Sequence, residues 1–325
     1  MEEIQKGLKE KLHKHIIPIS YVGLIFVVLV WGTVPILTGK LITTEGPYSA
    51  SLYNAALGLV AAIALMIICA PKLKTLHKGY FLLAVPTGAF NAIASLLQKI
   101  GLKYTTETQY AFLENLSCVI VPVLLFFFIK KKPSLTTIFA CVLCLVGSFV
   151  LNCSKDGLTF GVGEILCALA GLCYGVNIAA TGVFAKKMNA GLYVMIQMWV
   201  QAILSFAIAF CLSNIKIGGA PIEPMLFSWE AKHIWLLIAL ALGSSTLCWL
   251  IRTSVMKYIN ASAVAVIMPC SAVVTSIISV VFGKDTLTLP LILGASIGFL
   301  AAVLSGIADV LDSKKKTKKE PEEEP

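Results

Sequence analysis

The sequence has little charge for its length. Asp, Glu, Lys and Arg make up 13% of the 325 residues, whereas a soluble globular domain carries about 25%. Apolar residues make up 58% of the chain, and the mean hydropathy is +0.88. This composition excludes an ordinary soluble domain and predicts a polytopic membrane protein that has a lipid bilayer as its partner.

Residues for ATP-driven transport and for catalysis are also missing. No GxxxxGK[ST] motif occurs, so a nucleotide-driven pump is not predicted within this chain. The sequence offers no deep cluster of His, Asp and Glu for metal or nucleophilic chemistry, so a membrane-embedded enzyme is the weaker hypothesis and no cofactor or metal is predicted. The four histidines lie in the N-terminal arm or near the ends of apolar segments: His13, His15, His77 and His233.

Cysteine and basic residues are present but do not indicate a disulfide framework or a nucleic-acid partner. Almost all of the ten cysteines lie inside apolar segments, so they are interpreted as packing residues, including the pair Cys141 and Cys144. The net charge of +9 comes from short basic clusters between the apolar segments and at the two ends. That distribution is typical of membrane orientation and not of a phosphate-binding face.

Ten apolar segments are interpreted as membrane spans, which predicts an all-α integral membrane protein with ten transmembrane helices. An arm, 1–15, precedes them and a solvated tail, 312–325, follows. Lys and Arg alternate between the two sides of this arrangement, with 19 on one side and 7 on the other, so both termini are predicted to be cytoplasmic. The approximate limits are 16–41, 48–70, 79–98, 105–129, 134–152, 160–184, 191–213, 232–251, 260–282 and 287–309.

The chain contains an internal repeat. The motif that starts at Trp31-Gly32 aligns with the one that starts at Tyr174-Gly175, at an offset of 143 residues. The Lys103-Tyr104 pair aligns with Lys257-Tyr258 at an offset of 154. Each copy has five spans, an odd number, so the second copy is predicted to enter the membrane upside down. We therefore predict two inverted five-helix repeats, 16–152 and 160–311, a design that recurs in secondary transporters.

A carboxylate lies deep in the fourth span. Glu114 follows the start of the segment Thr105–Ile129 by about nine residues, which is roughly 13 Å into a hydrocarbon layer about 30 Å thick. A charge at this depth is costly and therefore indicates a functional site. Two roles stay open for Glu114: it binds a substrate ammonium group, or it carries a coupling proton.

Other polar residues recur at helical spacing and predict the lining of a cavity. For the Ser and Thr residues of the ninth span, hydrogen bonding to their own helix is an equally good interpretation. Lys99 and Lys103 lie close to span ends and are expected to reach the interface. Arg252 is expected to contact either lipid headgroups or an anionic substrate. The candidate substrate-binding residues are Glu114, Tyr110, Ser117, Trp31, Asn91, Gln98, Tyr174, Asn177, Trp249 and Ser271.

The repeated motifs resemble the drug/metabolite transporter superfamily, specifically its EamA type. The resemblance rests on Trp31-Gly32, on the paired Lys-Tyr turns and on Gly283-Lys284-Asp285 after the ninth span. It implies a carrier with a central cavity between the halves, lined chiefly by spans 1, 3, 4, 6, 8 and 9. It also implies alternating access and, in many relatives, export of amino acids or related metabolites.

These observations predict a secondary transporter in the plasma membrane that exports a small polar metabolite, an amino acid or related compound, with proton coupling as an open alternative. The alternative is a channel or a structural membrane protein. A channel needs a ring of like groups, whereas the asymmetric set of Trp, Tyr, Asn and Glu suits a binding pocket better. Oligomeric state is left open by the sequence.

Overall fold

A computed structural model describes residues 2–42, 46–130, 133–152, 161–217, 220–283 and 286–319. The predicted boundary between the repeats, 153–160, lies outside the described residues, as do Lys284 and Asp285 of the Gly-Lys-Asp motif and the last six residues of the tail. The described residues form a helical bundle with one small hairpin, in which Lys216–Ile217 pairs antiparallel with Ala220–Pro221.

Thirteen α-helices make up the described bundle. Because lipid cannot hydrogen-bond the backbone, apolar segments of this length satisfy their N–H and C=O groups internally as helices. The bounds are α1 Glu2–Ile42, α2 Ala50–Ile68, α3 Lys78–Leu102, α4 Glu107–Leu113, α5 Ser117–Ile129, α6 Leu135–Asn152, α7 Val162–Phe184, α8 Ala190–Asn214, α9 Ala231–Leu240, α10 Trp249–Val255, α11 Ala261–Ile267, α12 Cys270–Val281 and α13 Leu289–Lys319.

Among the described residues, eight helical segments are long and apolar enough to cross a membrane. The predicted fourth and fifth spans contain shorter apolar helices, Ser117–Phe127 and Leu135–Val150, so a count of ten spans is not established by length alone. The backbone of the predicted arm continues α1 from Glu2, and the described part of the tail continues α13 to Lys319. The chain is a multi-pass membrane protein.

Three predicted spans are interrupted. The fourth span changes from α4 to α5 through a 3₁₀ turn, Glu114–Leu116. The eighth span contains a π-helical stretch, Ala241–Cys248, between α9 and α10. The ninth span is divided at Pro269, which lacks the N–H that a continuous helix requires. Stretches of 3₁₀ and π-helix inside a helix often mark functional sites.

Packing between the helices follows a pattern that relates the two halves of the chain. Helix α3, in the third span, packs on α7 in the sixth span, and correspondingly the eighth span packs on α1 in the first span. Helix α1 also packs on α12 in the ninth span, and correspondingly α7 packs on α5 in the fourth span. The second and seventh spans, α2 and α8, pack on each other, as do α6 and α13. The contacts of each helix are therefore repeated by its counterpart with the two halves exchanged.

Close glycine contacts repeat the same relationship at atomic detail. A Cβ atom on Gly32 of α1 would lie 2.5 Å from Val274 Cβ and 2.9 Å from the Ser271 carbonyl oxygen. At Gly175 of α7 it would lie 2.8 Å from Ile120 Cβ and 3.5 Å from Ser117 Cα. The glycines differ by the 143-residue offset, and their contacts differ by the 154-residue offset. Glycine at both positions lets the helices approach closely.

A carboxylate from the loop before α9 connects the ends of α2 and α3. Glu223 accepts hydrogen bonds from Ala50 N at 2.9 Å and Ser51 N at 3.2 Å, and also from the Ser51 hydroxyl and Lys103 Nζ. The Lys103 and Glu223 side chains are 15% and 7% exposed, respectively. Lys103 therefore forms a partly buried ion pair at the end of α3, and the expectation that it reaches the interface stays a prediction.

The Glu223 contact should make stability depend on pH in acid. Burial raises the pKa of Glu223, but hydrogen bonds from Lys103 and Ser51 outweigh burial and the pKa is lower than usual. A carboxyl with a lowered folded-state pKa stabilises the fold above its unfolded pKa of about 4.3, and this contribution is lost as pH falls through the folded pKa. We expect Glu223→Gln to cost about 1–3 kcal/mol at neutral pH, measured as a lower apparent Tm in detergent.

Glu230→Gln is the matched control, because Glu230 also contacts a lysine, Lys232, but its side chain is 61% exposed. Exposed ion pairs contribute little to stability, so this variant should keep the original Tm. Equal losses of Tm in the two variants would contradict the role assigned to Glu223.

Candidate functional site

A cavity of about 770 Å³, counting its open mouth, lies between the two halves of the bundle. Its walls come from both repeats. The lining residues are Trp31, Val34, Pro35, Tyr53, Leu57, Ser95, Gln98, Lys99, Tyr110, Ala111, Glu114, Tyr174, Gln201, Leu240, Ser244, Ser245, Trp249, Arg252 and Ser271.

Glu114 lines this cavity at the end of an oriented chain of hydrogen bonds. Tyr174 Oη donates to Gln98 Oε1 at 3.0 Å, and Gln98 Nε2 donates to Glu114 Oε2 at 2.7 Å. The amide of Gln98 thus fixes one carboxylate oxygen of Glu114 with a strong charge-assisted bond. These two hydrogen bonds connect α3, the fourth span and α7, so residues of both repeats position the Glu114 carboxylate.

The backbone at Glu114 rests against a glycine of α7. A Cβ atom on Gly171 would lie 2.7 Å from the Leu113 carbonyl oxygen and 3.2 Å from Glu114 Cα. The absence of a side chain at Gly171 therefore allows the 3₁₀ turn to pack directly on α7. Gly171 is therefore a packing residue, as is Gly175 against Ile120.

Lys99 is part of the cavity, so its assignment to the membrane interface is wrong. Helix α3 continues to Leu102, and Lys99 is 7% exposed. Its Nζ donates to Ser95 Oγ at 2.6 Å, and Ser95 Oγ donates to Asn54 Oδ1 at 2.7 Å. Gln201 Nε2 also donates to Asn54 Oδ1, at 3.1 Å. Lys99 therefore ends a buried polar network that connects α2, α3 and α8.

Arg252, the only arginine of the sequence, is also inside the cavity and is 2% exposed. Its guanidinium carbon lies 3.9 Å from the centre of the Trp249 ring and 5.7 Å from that of Trp31. Its Nη2 donates to Asn177 Oδ1 at 2.8 Å. This burial rules out the expected contact with lipid headgroups and leaves the cavity as the environment of Arg252.

Aromatic rings surround the guanidinium. The Trp31 and Trp249 rings are 5.8 Å apart, and the Tyr174 and Trp249 rings are 6.5 Å apart. Trp31 Nε1 donates to the carbonyl oxygen of Ser244, in the π-helical stretch, at 3.4 Å. The irregular turn of the eighth span thus orients Trp31 of the first repeat toward the cavity.

Seven of the ten predicted site residues line the cavity and three do not. Asn177 lies behind Arg252 and donates to the Thr87 carbonyl oxygen at 3.0 Å, so it supports the wall. Asn91 donates to Gln201 Oε1 at 3.1 Å, and Ser117 is buried beside Gly175. The seven lining residues are Glu114, Tyr110, Trp31, Gln98, Tyr174, Trp249 and Ser271.

Lys99, Ser244 and Tyr53 are among the cavity residues that do not belong to the predicted site. The signal for Lys99 was available, because it follows Ser95 by four residues and so continues the polar stripe of the third span. No signal marked Ser244, since its position depends on the π-helical turn. Tyr53 reaches the cavity from the second span, where its hydroxyl contacts the Thr38 hydroxyl at 3.3 Å.

The fold and the cavity define a class: a multi-pass membrane protein with a charged central cavity between two related halves. The EamA-like transporter family matches the chain twice, over residues 18–153 and 161–307. The protein belongs to this family of transporters, as the repeated motifs predicted.

Two individual proteins show how far the similarity extends. A protein of Archaeoglobus fulgidus named as an uncharacterized transporter is 22% identical over 282 residues, which is 87% of this chain and 84% of that protein. A solved structure titled "Crystal structure of protein" superposes on this chain with a TM-score of 0.69. The two sequences are 15% identical, and the superposition covers 89% of this chain and 97% of the other. At this identity the superposition supports the fold alone.

Proposed function

We propose that this protein is a secondary transporter that exports a small polar metabolite, an amino acid or related compound, across the plasma membrane by alternating access. Glu114 in the cavity carries this proposal: a carboxylate at mid-membrane depth, fixed by Gln98 and Tyr174, is a suitable partner for a substrate ammonium group or a coupling proton.

Alternating access is supported by the relation between the halves. The paired glycine contacts at Gly32 and Gly175 and the exchanged helix neighbours favour a two-fold relation between five-span units. With ten spans this relation is an inverted repeat, in which one half rocks against the other around a central site. An even number of spans puts both termini on the same side of the membrane, and the distribution of Lys and Arg favours the cytoplasmic side.

The cavity lies toward the end of α3 and the start of α4, with Lys99 three residues from the last residue of α3. In the proposed topology this is the extracellular half. On the cytoplasmic side of it, Thr87 Oγ1 contacts Tyr193 Oη at 2.8 Å and accepts from Gln197 Nε2 at 3.0 Å. This hydrogen-bonded layer is a suitable barrier for an outward-facing state.

A flux panel in proteoliposomes tests the proposal. Proteoliposomes that contain the purified protein are loaded with unlabelled amino acids, amines, sugars or nucleobases. Uptake of the labelled counterpart is then measured with and without a pH gradient. A transporter gives saturable counterflow for at least one class, and a channel gives uptake that the internal substrate does not accelerate. Absence of counterflow across the whole panel would contradict the proposal.

A further inference from the structure

The cavity contains two cations and one carboxylate, and its cations are not paired with acids. Within the described ranges, the ion pairs are Lys103 with Glu223 and Glu230 with Lys232 and His233, all outside the cavity. Lys99 Nζ donates to the Oγ and carbonyl oxygen of Ser95, both of which are neutral. The cavity therefore has an excess of positive charge that the protein itself does not neutralise.

Arg252 has donor capacity left over. Its Nε is buried and has no hydrogen-bond partner among the described residues, and its Nη2 contacts the neutral amide oxygen of Asn177. A guanidinium carries five N–H donors in a planar fork that matches two acceptor oxygens of an anion. Stacking on Trp249 holds the plane of this fork. An unpartnered donor on a buried cation indicates an acceptor supplied by a ligand.

Lys99 reaches the same cavity from α3. Its ammonium has three donors, and both of its acceptors come from Ser95, one helical turn earlier. Among the described residues no carboxylate lies within ion-pair distance of Lys99 Nζ, so an anionic ligand group is a more complementary partner than these neutral oxygens.

We propose that Arg252 and Lys99 bind a carboxylate of the transported compound, in addition to the cationic group or proton held by Glu114. Lys99 and Arg252 face the single carboxylate of Glu114 in this cavity, so an anionic group on the ligand lowers the net positive charge. A simple amine or quaternary ammonium ion is excluded as the whole substrate, because it would add to the excess. This inference rests on the proposed transport function and names the substrate class.

The test uses matched ligands that differ by one group. Leucine, phenylalanine and serine are compared with their decarboxylated amines (isoamylamine, phenethylamine, ethanolamine) and with the deaminated acids (4-methylpentanoate, 3-phenylpropanoate, 3-hydroxypropanoate). Inorganic phosphate serves as a further anion. Binding to the purified full chain is measured by the rise in apparent Tm. At least one of the amino acids or deaminated acids should raise the apparent Tm, and none of the amines should.

Two variants test the residues, and one serves as the control. Lys99→Gln and Arg252→Lys should each weaken carboxylate binding by at least about tenfold, since each removes a charge-assisted or forked hydrogen bond. Arg252→Lys keeps the buried charge, which limits the effect on folding. Lys232→Gln removes a lysine whose side chain is 72% exposed and should leave binding unchanged.

The possible outcomes separate this inference from the transport function. Stabilisation by amines alone, by phosphate alone or by no carboxylate overturns the anion site, as does unchanged carboxylate affinity in both folded variants. Flux of a compound without a carboxylate leaves the transporter intact and overturns the anion site. Carboxylate binding without flux of any bound compound upholds the anion site and overturns transport.

Discussion

Glu114→Gln should reduce proton-driven substrate flux in proteoliposomes by about 10- to 100-fold, because a charged hydrogen-bonding group of the cavity is replaced by a neutral amide. The carboxamide has nearly the same shape, and Gln98 can still donate to its oxygen, so the protein should insert and purify at its normal yield. The measurement is initial uptake under an imposed pH gradient. Unchanged proton-driven flux in Glu114→Gln would contradict the role assigned to Glu114.

The same variant separates the two roles that stay open for Glu114. If the carboxylate carries the coupling proton, Glu114→Gln loses accumulation but keeps counterflow exchange, because only the protonation cycle is removed. If it binds a substrate ammonium group, both activities fall together. Glu230→Gln removes a carboxylate whose side chain is 61% exposed, at the surface, and should keep both activities.

The apolar segments predicted most of the fold because apolar length is a direct consequence of bilayer thickness. The interruptions could not be predicted in the same way. The π-helical stretch Ala241–Cys248 contains neither proline nor a charged residue, and its single glycine is no marker in a membrane helix. Within this stretch the Ser244 carbonyl oxygen accepts a hydrogen bond from Trp31 Nε1, a contact that depends on tertiary packing. Pro269, in contrast, marked the break in the ninth span.

The sequence predicted the acid of the candidate site, Glu114, but not the cavity position of Lys99. Glu114 was recognised because depth alone makes a carboxylate costly. Lys99 was assigned to the interface because the third span was ended at residue 98, although α3 continues to Leu102. For Arg252 the sequence leaves two environments open, and it does not show that Trp249 and Trp31 enclose the guanidinium. Charge pairing across helices depends on packing that periodicity does not encode.

Gly171→Ala should lower flux by at least about tenfold without touching any predicted ligand of the substrate. The new Cβ would lie 2.7 Å from the Leu113 carbonyl oxygen and 3.2 Å from Glu114 Cα, both backbone atoms that cannot rotate away. The 3₁₀ turn must therefore shift, and a displacement on the order of 1 Å at a binding group can cost about 100-fold. Overpacking should also cost about 1–3 kcal/mol of stability.

Gly298→Ala is the matched control for this effect. Gly298 lies in α13, and a Cβ atom there would meet no atom within 4 Å. Both substitutions add the same methyl group and the same gain in helix propensity, about 1 kcal/mol. The difference between them in flux and apparent Tm therefore isolates the contact at Glu114. Equal behaviour of the two variants would show that the close packing of Gly171 does not position the carboxylate, and a further drop for Gly171→Val would show that the shift grows with side-chain size.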